Sequence, residues 1–196
     1  MSGRKQFDVT AALDQAMRVF WQQGYEGASL DALGSATGLG RGSLYGTFGN
    51  KDALFRQCLD RYVSVYGGRQ EKALAGHAGD PVRAVAAFLD TTLARIADPA
   101  VPDGCLIAQS SAQAPTLNEE NGAHVRALVS AQRARVRAAL GSAAADAQVL
   151  DELALYVVAV NQSLGVLSRA GVPHEELRAV TRLAGATVAD TLARSA

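Results

Sequence analysis

Six side chains clustered early in the chain are suited to holding a polyanion. Arg41, Ser43, Tyr45 and Thr47 share one short segment, Lys51 follows it and Ser29 precedes it. A guanidinium presents a planar fork of donors that fits a phosphate or a guanine edge, while hydroxyls donate to phosphate oxygens. Gly40 and Gly42 flank Arg41, where missing side chains let the backbone approach an anion. Lys51 falls in the first turn of a helix, against the local dipole, so an external anion is its natural partner.

Other chemistries fit poorly. Gly38-x-Gly40-x-Gly42 follows a helix and lacks the Gly-Lys-Ser/Thr ending, which excludes a nucleotide loop. His77, His124 and His174 are isolated, and no metal spacing or local catalytic triad is present. The expectation is no enzyme, no cofactor and no metal. Cys58 reads as a small buried hydrophobe. Cys105 has two readings: a tightly packed small residue, which is favoured, or a thiol activated by a helix N-terminus.

The elements that must position these groups are helices. Val9, Ala12, Leu13, Ala16, Met17 and Phe20 form an amphipathic stripe, and Gly24 suits a left-handed cap after it. Ser29 caps a short helix over 30–37, and a second short helix runs over about 41–48. Two short helices around a glycine-containing turn make a helix-turn-helix, whose second helix enters the major groove. Asn50 caps a long helix to about residue 72, which Gly67-Gly68 bends or ends. Five further helices are predicted over about 81–97, 104–112, 118–140, 146–170 and 174 to near the C-terminus. The fold class is all-α with about nine helices. An N-terminal module (1–50) is joined by helix four (51–72) to a C-terminal bundle (73–196).

Composition sets the frame. The 196 residues are 48% hydrophobic and 19% charged, a globular balance, with zero formal net charge. Residues 1–60 hold six basic residues (Arg4, Lys5, Arg18, Arg41, Lys51, Arg56) against six acids. Nucleic-acid binding therefore depends on where the bases sit. The N-terminus lacks a secretory core and no apolar run approaches the ~18–20 residues of a membrane span, so a soluble, cytoplasmic protein is expected.

The stretch LDALGSATGLGRGSLYGTFGNKDALF, with Phe20 and Gly24-Tyr25 upstream, resembles the TetR family of repressors over about residues 8–60. The carrying residues are Ser29-Leu30, Gly38, Ser43-Leu44-Tyr45, Phe48, Lys51 and Leu54-Phe55. The resemblance implies that Tyr45, Lys51 and Ser29 contact phosphates, Thr47 lies near the DNA backbone, and Arg41 with Gly42 and Ser43 lies closest to base edges. Gly40 and Gly46 depart from the hydroxyl and aromatic or His residues of many relatives, weakening the third helix's cap and removing one contact.

The resemblance further implies a homodimer through helices eight and nine and a small-molecule effector held by the C-terminal helices. Small residues there (Ala154, Ala159, Ser163, Gly165, Ala184, Gly185, Ala189) permit close helix approach. Polar groups on apolar faces mark a candidate pocket: Phe88, Thr92, Cys105, Gln109, Tyr156 and Asn161, although Asn161 equally suits the dimer seam. The implied function is an operator-binding transcriptional repressor released by its effector. The alternative is a helical ligand-binding or adaptor protein that has lost DNA binding.

Overall fold

The structure, a computed structural model, describes residues 7–195, so Arg4 and Lys5 lie outside the described residues. Those residues form α1 (Val9–Gly27), α2 (Leu30–Thr37) and α3 (Arg41–Phe48). Helix α4 starts as Lys51–Tyr62, passes through a π-helical turn, Val63–Gly67, and continues as Gly68–Ala75. Then come α5 (Pro81–Ile96), α6 (Leu106–Gln113), α7 (Glu119–Leu140), α8 (Ala147–Arg169) and α9 (His174–Ser195). Counting α4 as one, the described residues hold nine α-helices and no strand.

Caps set most boundaries. Asp8, Ser29, Asn50, Asp80 and Asn118 each accept a hydrogen bond from a first-turn amide of the helix that follows. Gly38 ends α2 in the left-handed conformation (φ 68°, ψ 15°). Gly24 departs from the expected left-handed cap. Its φ of 73° and ψ of 177° place it in a region open to glycine almost alone, so α1 kinks there and makes one more turn. Gly67-Gly68 do not stop α4 either. The helix absorbs one extra residue as the π turn and runs on to Ala75.

Two cores hold the molecule. In the front core, Phe20, Trp21, Phe55 and Tyr62 of α1 and α4 pack with Leu33, Leu44 and Phe48 of α2 and α3. Cys105, Leu106, Ile107 and Ala108 at the head of α6 and Val125 of α7 complete that core, so apolar packing crosses the expected 50/73 division. The rear core joins α5, α7, α8 and α9 through Val85, Phe88, Leu140, Val157, Leu164 and Val188. Each such side chain contributes about 1.5–3 kcal/mol on burial.

Helix α8 is long and apolar enough, by length and composition, to cross a membrane, against the expectation that no run approaches that length. Here its inner face is rear core. The small residues of α8 and α9 also divide. Ala154, Gly165 and Ala184 are buried within their own chain, whereas Ala159 is exposed and Gly185 half-buried. Gly165 answers an internal need, since a Cβ there would stand 2.6 Å from Cys105 Cβ. Gly165→Ala should therefore destabilise the fold by about 1–3 kcal/mol in urea unfolding. Gly68→Ala, where an added Cβ meets nothing within 4 Å, should leave stability unchanged or raise it by up to about 1 kcal/mol.

Candidate nucleic-acid interface

Helix α3 has two unlike faces. Leu44 and Phe48 are buried against the front core, while Arg41, Gly42, Ser43, Tyr45, Gly46 and Thr47 are all exposed. A Cβ added at Gly40, Gly42 or Gly46 would meet nothing within 4 Å, and none of the three has a positive φ. Nothing inside the molecule asks for glycine at these positions, although a helical glycine costs roughly 1 kcal/mol relative to alanine. Gly40 gives α3 no side-chain cap, so its first-turn amides stay free on the outer surface.

The polar groups around this face are partly occupied. Ser29 Oγ accepts from Ala32 N at 3.0 Å, which leaves its proton free to donate outward. Thr47 Oγ1 donates to Ser43 O at 2.8 Å, so it offers outsiders a methyl group and an acceptor rather than a donor. Arg41 lies 3.6 Å from Asp31 in a solvent-exposed ion pair of the kind that contributes little. Lys51 Nζ sits 4.5 Å from the centroid of the Tyr25 ring and joins no ion pair among the described residues.

Beneath Lys51, one carboxylate ties three elements together. Asp52 Oδ1 accepts from Tyr25 Oη at 2.5 Å, Asn118 Nδ2 at 2.7 Å and Asn121 Nδ2 at 2.6 Å. Burial, followed by the bond to Asp52, pushes the Tyr25 phenol above its ordinary range, so it remains a donor. Arg56 Nη1 donates to Asn121 Oδ1 at 2.7 Å and pairs with Glu120 at 3.0 Å. The reading end of α4 is thereby pinned to the head of α7.

A second joint lies at the end of α1. Gln113 Oε1 of α6 accepts from Tyr25 N at 3.2 Å, packed where only the bare Cα of Gly24 leaves room. Arg169, in the last turn of α8, donates to Trp21 O at 2.9 Å, Gln22 O at 2.5 Å and Gln109 Oε1 at 2.8 Å. It thus caps free carbonyls of α1 from the far side of the molecule.

Between these joints lies a cavity of about 30 Å³, the liquid volume of roughly one water. Thr92, Cys105 and Asn161 line it, as does the π turn through Val63, Tyr66 and Gly67. Gln70 Nε2 of α4 donates to Thr92 Oγ1 (3.0 Å), which donates to Asn161 Oδ1 (2.6 Å), linking α4, α5 and α8. Tyr62 Oη donates to Cys105 Sγ at 3.3 Å. Gln109 points instead to a surface cleft beside Arg169, and Phe88 and Tyr156 belong to the rear-core packing. Asn161 is buried within its own chain, away from any seam between copies. Burial pushes the Cys58 thiol well up, in keeping with a packing role.

Residues 12–58 match the family described as bacterial regulatory proteins, tetR family. Along nearly its whole length the chain is also similar to a cysteine variant of the TetR family transcriptional regulator CifR, solved with a 26-base-pair double-strand operator DNA. Identity is 35%, the TM-score is 0.83, and the match covers 92% of this chain and 97% of that one. The chain belongs to the TetR family. A TetR regulator from Chloroflexus aurantiacus is similar at 25% identity and TM-score 0.79, over 91% of this chain and 92% of that one. The HTH-type transcriptional repressor ComR of Escherichia coli is 50% identical over 70 residues, 36% of this chain. The curated relatives are matched over only about a third of their own length, 33% and 32%.

Within this TetR-family chain, sequence reasoning missed Asp52, Asn118, Asn121, Gln113 and Arg169. Asp52 and Arg169 are ordinary first-turn and last-turn charges in sequence, and their partners lie 66 to 148 residues away. No local pattern could have found them. Asp52→Asn removes the charge that orders three donors. Unfolding in urea should show a loss of about 1–3 kcal/mol.

Proposed function

We propose that this chain is a homodimeric transcriptional repressor that grips operator DNA with α2 and α3 and lets go when a small molecule enters the cavity beside the π turn. The observation that carries this reading is the outer face of α3. It joins three glycines with no internal reason to be glycine to an uncapped N-terminus, Arg41, Ser43, Tyr45 and the adjoining Lys51. A surface of that kind suits a backbone pressed against phosphates, with Arg41 and Ser43 nearest the base edges. A protein of this kind works in the cytoplasm, where operator DNA lies, and the reading assigns it no catalytic step.

Dimerisation follows from apolar surface. Leu155 and Val166 on α8 and Leu183 on α9 are more than half exposed, beside the exposed Ala159 and half-buried Gly185. Covering these residues with a second copy presents two α3 helices, which bind together when half-sites lie about one helical turn, roughly 34–36 Å, apart. Release works through α4. Its N-terminus carries Lys51 and Asp52, and its π turn lines the cavity. A ligand that favours another phase of that turn rotates the reading end and alters the spacing. A differential affinity worth ~1–3 kcal/mol weakens operator binding ~5–150-fold.

Fluorescence anisotropy with the DNA preceding the chain's own coding region tests this. Tyr45→Ala and Lys51→Ala should each weaken binding roughly tenfold or more, and Lys51→Ala should lower the salt slope by about one. Gly42→Val should weaken binding while leaving the melting temperature unchanged or slightly raised. Unchanged affinity in all three folded variants contradicts the reading, and so does salt-independent binding, which would fit a protein partner instead. Leu183→Glu should shift the dimer toward monomer in analytical ultracentrifugation.

A further inference from the structure

Arg95 is the anomaly of the interior. It is 6% exposed, at the end of α5, and lines the cavity. Buried arginines are ordinarily paired with a carboxylate, because an unpaired charge away from water is costly. None of the ion pairs among the described residues includes Arg95. Its one hydrogen bond goes from Nη1 to the Gly104 carbonyl, and its guanidinium lies 5.4 Å from the Trp21 ring. A carbonyl, an aromatic face and the negative end of α5 soften a cation but do not neutralise it. Two more arginines, Arg69 and Arg135, line the same cavity, with no Asp or Glu.

From this imbalance we infer that the effector is an anion, a small organic carboxylate whose oxygens complete the fork of Arg95. The inference rests on the sensing role proposed above and names the chemistry of its ligand. Nη1 is held by Gly104, which leaves Nε and Nη2 as the donors without a protein partner among the described residues. Tyr62, Tyr66 and Thr92 supply aromatic edges and a hydroxyl for the body of the molecule. The cavity's small free volume favours a compact acid and requires the π turn of α4 to give way as the acid enters. Ligand charge and helix movement are thereby joined. The carboxylate neutralises Arg95, and the space it takes comes from the helix that carries the reading head.

The test uses the full-length protein without DNA. Melting temperature and isothermal titration calorimetry are followed with formate, acetate, propionate and benzoate, each against its neutral amide at matched ionic strength. At least one carboxylate should raise the melting temperature by several degrees at millimolar concentration, while its amide does not. Arg95→Met should bind that carboxylate at least about tenfold more weakly, and without ligand it should melt no lower than the wild type, since it removes an unpaired buried charge. Arg95→Lys, which keeps the charge and loses the fork, should retain weaker binding and covers the case in which Arg95→Met fails to fold. Equal response to acids and amides in the wild type overturns the proposal, as does a carboxylate effect that survives both variants. These readouts are independent of operator binding. Carboxylate binding without release from DNA would contradict the sensing role and leave the anion site standing. Release by a neutral molecule alone would do the reverse.

Discussion

The arrangement depends on one carboxylate held by three donors. Asp52 sits one residue beyond Lys51, at the point where α4 leaves the reading module, and its oxygen gathers Tyr25, Asn118 and Asn121. Without that knot, α2 and α3 would lie against the rest of the chain through apolar packing alone, which is non-directional and tolerates sliding. With it, the reading end of α4 has an orientation set by α7. Arg169 does the same for α1, reaching from the end of α8 to the carbonyls beside Trp21. Both joints are charge-assisted, short and geometrically specific. A displacement in the bundle therefore reaches α3 as a rotation of the whole module.

Between the joints, the molecule is built to be adjustable. The π turn holds an extra residue within α4 and faces the cavity, where polar side chains from three helices meet. Such turns relax toward ordinary α-helix with a change in helical phase. A rigid knot at the head of α4 and a deformable turn in its middle are complementary features. The turn supplies the movement and the knot directs it.

Much of the architecture was legible in sequence because it rests on short-range rules. Ser29, Gly38, Asn50, Asp80 and Asn118 announce helix ends by local hydrogen bonding, and the stripe from Ala12 to Phe20 announces a buried face. The exposed residues of α3 were equally readable, since Leu44 and Phe48 fix which side turns inward. The joints were not. Asp52 and Arg169 acquire meaning only when helices remote in sequence are brought together. Gly165 looked like a contact for a second copy yet serves Cys105 of its own chain. Of the expected pocket, Thr92, Cys105 and Asn161 meet at the cavity. Phe88 and Tyr156 do not, because an apolar face alone does not tell a wall from a core. Arg95 read as an ordinary last-turn cation, and only its burial exposes the missing counter-charge.

The central claim, a two-fold reader built on the face of α3, is tested most directly by selecting bound duplexes from random DNA with the full-length protein and mapping them by hydroxyl-radical footprinting. The account predicts a two-fold-symmetric sequence with two protected stretches on one face of the duplex, centred one helical turn or a whole multiple of it apart. Recovery of no preferred sequence, or of one lacking symmetry with a single protected stretch, would contradict it.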